Sequence, residues 1–292
     1  MISRTYFCYL VLLGFVLVTL SSCEKFSGSQ TIPAYLSVDS VYLITNTAQG
    51  SNSQHITDAW VTVDNDFLGT FELPAKFPVL KTGKHTVKIY PGIKKNGIAA
   101  TRISYQYYAP VERILNFAMD SVTKMGTVKT TYLSTTKFTW LEDFENEQVP
   151  FTLDTTTGST AGIVRTAAGS RYTFEGMHSG MVVLDSAHDY FECISHAEFP
   201  IPSAAVFLEM NFKLSSSLTV GVFTYGTSTL YQTPVITLSP TNGVWKKIYI
   251  DLSNTLYAYS GMTSYRVYLG TLKAAGVKHD TILFDNFKLV TR

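Results

Sequence analysis

The chain has 292 residues, with 23 Lys and Arg against 22 Asp and Glu, so its formal net charge is +1 at neutral pH. Charged residues make up 15% and aromatics 13%, through 18 Tyr, 18 Phe and 3 Trp, which is a strand-former composition and not that of a disordered chain. The length allows two domains, and a balanced charge with no basic block argues against nucleic acid as a partner, since nothing supplies a positive field for phosphates.

Arg4 precedes an unbroken apolar run over residues 6–20 (YFCYLVLLGFVLVTL), too short to span a bilayer comfortably as a mature helix and readable as the core of an export signal. The run ends in Leu20-Ser21-Ser22-Cys23. An apolar residue, two small residues and a cysteine at the cleavage position resemble the lipobox of bacterial lipoproteins. The resemblance implies that residues 1–22 are a signal peptide and that Cys23 is the lipidated N-terminus. It implies an outer-membrane anchor with the protein on the periplasmic face or at the cell surface. More than one acyl chain is what stable anchoring needs, at about 0.8 kcal/mol per buried CH₂. Residues 23–31 are polar and aperiodic, as a tether would be. Cys8 lies in the leader, so Cys193 is left alone in the mature chain; it forms no intrachain disulfide and reads as a buried apolar filler.

Over residues 32–118, apolar and polar residues alternate with period two, as in Val61/Val63 and Val87/Ile89, and turn formers such as Asp64-Asn65-Asp66 and Lys81-Thr82-Gly83-Lys84 separate the runs. The run from Ala59 through Gly69, Pro74, Leu80, Gly83 and His85 to Ile89 resembles the PEGA-type, Ig-like small β-sandwich, which implies attachment or binding and makes His85 structural. Residues 119–137, which include the Thr-rich stretch 127–137 (TVKTTYLSTTK), read as a connecting segment.

From residue 138 to 292 the spacing again predicts strands. Val206, Leu208, Met210, Phe212 and Leu214 share one face, with Glu209, Asn211 and Lys213 on the other. Near the C-terminus the apolar phase changes between Ile282/Phe284 and Phe287/Leu289, placing a bulge at Asp285-Asn286. The series Asp143-Phe144-Glu145, Glu175-Gly176…Ser179-Gly180, Trp245…Lys247-Ile248…Ile250-Asp251-Leu252 and Asp285-Asn286-Phe287…Leu289 resembles the galactose-binding-like jelly rolls of bacterial surface proteins, of the carbohydrate-binding-module type. The fold class expected is therefore all-β, an Ig-like or PEGA-like sandwich followed by a jelly-roll sandwich.

In related jelly rolls an opening acid and a closing-strand Asp hold a structural calcium, so the resemblance points to Glu145 and Asp285 as its ligands; no other cofactor is implied. The six histidines show no zinc spacing, Gly158-Ser159-Thr160-Ala161-Gly162 lacks a nucleophile elbow, and no local motif pairs two carboxylates. No catalytic residue is named. Sugar recognition needs aromatic faces beside polar groups, and Tyr225, Tyr231, Tyr257, Tyr259 and Tyr265 lie near Gly/Ser/Thr-rich turns, which makes them the candidate ligand-binding residues. Trp245, inside a regular strand pattern, is expected in the core. The whole resembles non-catalytic lipoproteins of Bacteroides-like bacteria, which implies a membrane-anchored protein binding glycan through its jelly roll. The alternative is a structural or assembly lipoprotein docking a surface protein, with a glycan-cleaving enzyme as the third reading.

Overall fold

The computed structural model describes residues 32–292. The leader and Cys23, with the anchor read from them, lie outside the described residues.

The first eight strands are β1 (Ala34–Ile44), β2 (Asp58–Val63), β3 (Asp66–Glu72), β4 (Ala75–Val79), β5 (Gly83–Lys94), β6 (Arg102–Ser104), β7 (Val111–Phe117) and β8 (Val122–Thr131). They form a three-stranded sheet in the order β4-β1-β8, facing a sheet in the order β3-β2-β5-β6 with β7 also on β5. The period-two residues meet between them, where Leu36, Val61, Phe77, Val87 and Ile89 are buried. In β1 the buried phase slips from Leu36/Val38 to Val41/Leu43. The extra residue is taken up by irregular pairing with β8, where Gly126 has φ +64, a conformation glycine adopts without strain. The stretch 119–137 is therefore no linker: β8 pairs in parallel with β1 and completes this sandwich.

Twelve more strands follow: β9 (Lys137–Glu142), β10 (Leu153–Thr155), β11 (Val164–Arg165), β12 (Gly180–Leu184), β13 (Tyr190–Ser195), β14 (Phe199–Pro200), β15 (Phe207–Leu214), β16 (Leu218–Gly226), β17 (Leu230–Leu238), β18 (Lys246–Asp251), β19 (Met262–Leu272) and β20 (Asp280–Thr291). One sheet runs β11-β12-β20-β15-β18 with β9 on β20; the other runs β10-β13-β19-β16-β17 with β14 on β19. Among the described residues helix is confined to single turns at Thr47–Gln49 and Ser253–Leu256, so the chain is all-β. Leu208, Met210, Phe212, Ile248, Ile250, Phe284 and Phe287 fill the space between the two sheets, and Cys193 is buried with them. The bulge in β20 is present: Asn286 has φ +51 and the register with β15 shifts between Glu209 and Asn211.

The two sandwiches share a seam. Phe207, Tyr249 and Val290 point away from the jelly-roll core into the core of the first sandwich, so the outer face of the β15/β18/β20 sheet is covered. The turn after β5 guards the edge of that sheet. The Asn96 amide donates to the Tyr249 carbonyl at 2.9 Å, and the Asn96 side chain accepts the Asp251 amide at 2.8 Å. An edge strand that would otherwise expose its backbone groups is thus occupied by the neighbouring domain.

Candidate functional site

Strand alternation and cross-strand register build the site. Lys247 and Tyr249 on β18 lie opposite Asn211 and Glu209 on β15, which in turn lie opposite Asp285 and Lys288 on β20. Two rows of polar residues therefore cross the outer face of the sheet, Lys288-Glu209-Tyr249 and Asp285-Asn211-Lys247. The first row is sealed by the N-terminal sandwich, while the second runs out into a cleft.

In the sealed row Glu209 is fully buried. It accepts the Tyr105 hydroxyl at 2.8 Å and the Tyr132 hydroxyl at 3.0 and 2.9 Å. Burial, reinforced by the Glu209 charge, pushes both phenols well above their ordinary pKa, so they remain donors. Tyr249 bonds Tyr108 hydroxyl to hydroxyl at 3.0 Å and accepts the His55 amide at 3.0 Å. The Lys288 ammonium donates to the Ser51 carbonyl and lies 5.1 Å from the Tyr132 ring centroid. Burial pulls its pKa down to about 8, against the Glu209 charge that raises it.

The open row faces a cleft of about 670 Å³ between the sandwiches, a volume typical of small-ligand sites. One wall is Ser53, Gln54 and His55 with Lys94 and Asn96; the other carries Phe174 and Trp245, with Asn211 and Lys247 between. Trp245 and Phe174 pack with ring centroids 5.2 Å apart at 53°. Among the described residues the Trp245 indole N–H, the Asn211 Oδ1 and the Lys247 ammonium are buried without a hydrogen-bond partner. Lys247 stands 3.5 Å from Glu209, an ion pair too long for a strong hydrogen bond. Burial pulls its pKa down, opposed by Glu209. His55, partly desolvated and facing Lys94, is also held below its ordinary value. A buried polar atom without a partner costs free energy, and all three belong to residues that line the cleft.

The expected tyrosines do not converge on this cleft. Tyr265 shares a face of β19 with Val267 and Leu269, so it is buried in the core, 5.6 Å from the Phe199 ring, and offers no face to a ligand. The Tyr257 hydroxyl is engaged by the carbonyls of Pro202 and Ala204 at 2.7 and 2.8 Å. Tyr225 is half-buried. Only Tyr231 and Tyr259 come together, stacked at 4.1 Å and 9° with about 40% of each exposed.

The calcium pair is brought to one loop but not into a ligand set. Glu145 accepts the Met177 and His178 amides at about 3 Å. Asp285 accepts the Ser179 hydroxyl at 2.6 Å and the Asn286 amide at 2.8 Å. Burial pushes the Asp285 carboxyl up to about 8, against the Ser179 and Asn286 hydrogen bonds that lower it. Among the described residues no three His, Cys, Asp or Glu side chains gather into a metal site.

Trp245 was expected in the core, yet it is half-buried at the cleft wall. A signal was present: residues 245, 247 and 249 share a parity, and that parity is opposite to the core residues Ile248 and Ile250.

No family model matches the chain, and no curated protein does. Solved structures similar to it are carbohydrate-binding modules with β-sandwich folds. One is a module of the β-sandwich superfamily described for promiscuous specificity, at 12% identity over 80% of this chain and 85% of that one, TM-score 0.36. Another is a family 61 module in complex with β-1,4-galactotriose, at 13% identity over 48% and 87%, TM-score 0.31. A family 29 module matches at 13% identity over 53% and 88%, TM-score 0.33.

Proposed function

We propose that the protein captures glycan without cleaving it, and that the cleft between its sandwiches is the binding site. The observation that carries this reading is the pairing of an aromatic wall, Trp245 and Phe174, with the unpartnered Asn211 Oδ1 and Trp245 N–H. Aromatic faces bind the CH surfaces of a sugar ring while fixed polar groups select its hydroxyls. Among the described residues lining the cleft there is no Asp or Glu to serve as acid and base, and Glu209 nearby is held by two phenols and a lysine. Both support capture over hydrolysis. We place the protein at the outer membrane through acyl chains on Cys23. Metabolic labelling with a fatty-acid probe tests that placement: label retained by a Cys23→Ala variant would overturn it.

The binding reading is tested on a glycan array with the full chain purified in detergent, wild type against Trp245→Ala. Saturable binding that the variant loses supports it; a blank array for the folded wild type overturns it. A second reading, docking of a protein partner, is favoured by the exposed Tyr231/Tyr259 stack and the neighbouring exposed Leu230. Tyr231→Ala that leaves glycan retention intact but releases a co-purifying surface protein would support that second role.

A further inference from the structure

The charge around the cleft narrows the class of ligand. Its described lining contains three lysines, Lys94, Lys246 and Lys247, and no acidic side chain. Lys246 is exposed and makes no ion pair among the described residues, and Lys94 reaches only the exposed Glu72 at 3.8 Å. Lys247 is the decisive group. Its side chain is 3% exposed and its ammonium has no hydrogen-bond partner among the described residues. The one buried carboxylate near it, Glu209, also faces the buried Lys288 and is already the acceptor for two phenols. One carboxylate thus serves two buried lysines, and the Lys247 Nζ on the cleft side of the seam has only its long contact to it. The other nearby acids are engaged elsewhere: Asp285 accepts the Ser179 hydroxyl and the Asn286 backbone amide, and the exposed Glu175 accepts from the Asn286 side-chain amide at 2.9 Å.

We infer that the cleft selects an acidic saccharide, a uronic-acid-containing glycan whose carboxylate pairs with Lys247 while Trp245 stacks on the sugar ring and Asn211 accepts a hydroxyl. This rests on the reading that the cleft binds glycan. A neutral sugar would satisfy Asn211 and Trp245 but would leave the Lys247 ammonium desolvated with only its long contact to Glu209. A carboxylate completes the pair and forms the charge-assisted hydrogen bonds that are the stronger kind. Lys246, on the exposed side, adds a long-range attraction that salt screens.

The test is titration calorimetry of the full chain in detergent with oligosaccharides of polygalacturonate, alginate and hyaluronan, each beside its carboxyl-reduced neutral counterpart. At least one acidic oligomer should bind, weaken at least about tenfold when its carboxylates are reduced, and weaken again as NaCl is raised. Lys247→Met should erase the preference for the acidic form. Because that residue is buried, Lys246→Glu, at an exposed position, is measured beside it with a thermal melt for each, and should weaken acidic binding without altering the melt. Neutral counterparts bound as tightly as the acidic forms would overturn the inference. Neutral glycans captured on the array with all three acidic families silent would overturn it too, while leaving glycan capture standing. Silence toward every glycan, acidic and neutral, would remove both.

Discussion

Glu209→Gln tests what joins the two sandwiches. The side chain keeps its shape and can still accept from Tyr105 or Tyr132, so packing is nearly unchanged and the perturbation is the loss of one buried negative charge. That charge is the partner of Lys247 at 3.5 Å and raises the pKa of Lys288. Breaking a fully buried ion pair from one side typically costs about 3–5 kcal/mol, because the remaining charge stays desolvated. With two ammonium groups left, the upper part of that range is expected at pH 7. Urea denaturation followed by tryptophan fluorescence is the assay, since urea leaves ionic strength free to vary. The cost should persist in 1 M NaCl, roughly a 3 Å screening length, because solvent ions do not reach the pair. Adding Lys247→Met and Lys288→Met should recover most of the loss, since well-packed apolar replacements of buried pairs are often neutral. A cost under about 1 kcal/mol, or one that disappears in salt, would mean that the seam does not depend on this charge.

Asp285 predicts a pH dependence. Its carboxyl is near 8 folded and about 3.9 unfolded, so the folded state holds the extra proton between those values and stability falls as pH rises through that window. The fall is about 1.4 kcal/mol per unit, and Asp285→Asn, which keeps an acceptor for the Asn286 amide, should flatten it; parallel unfolding curves for variant and wild type across pH 4–8 would refute this. Lys288 acts in a separate window: lowered to about 8 from about 10.4 unfolded, it gives a stability gain as pH rises from about 8 to about 10.4, which Lys288→Met should remove in urea titrations. Tyr265→Ala should lower stability by roughly 3–5 kcal/mol, as for other large buried aromatics, and leave glycan affinity unchanged; lost affinity in a folded variant would return Tyr265 to the binding site. Gly180→Ala should also destabilise, because a Cβ there would stand 2.6 Å from the Phe284 ring and 2.7 Å from the Phe144 ring; an unchanged melting temperature would contradict that packing.

The strands were legible because their signal is local. A period of two distinguishes the face of Val61 and Val63, or of Leu208 and Met210, from the residues between them, and the phase change at Asp285-Asn286 located the bulge. The all-β class followed from that alternation, and the two sandwiches from the resemblance to known β-modules. The surroundings of Glu145, Asp285 and Tyr257 were not legible, because they depended on where side-chain polar atoms would end up. Ser179 and the backbone amides of the loop at residues 176–178 took the carboxylates, and the carbonyls of Pro202 and Ala204 took the Tyr257 hydroxyl.

What the sequence alone determined is which residues alternate, and hence which two faces each strand has. What only the tertiary structure decided is which of those faces meets water. Glu209, Asn211, Lys247 and Lys288 occupy the polar phase of their strands, which in a single isolated sandwich would be solvated. The first sandwich, completed by β8, docks on that face and buries them. Desolvation then turns ordinary surface residues into a charged seam and leaves the uncovered end of the sheet, with Trp245 and Lys247, as the cleft. Docking pairs residues some hundred positions apart, such as Tyr105 with Glu209, and no local periodicity carries that information.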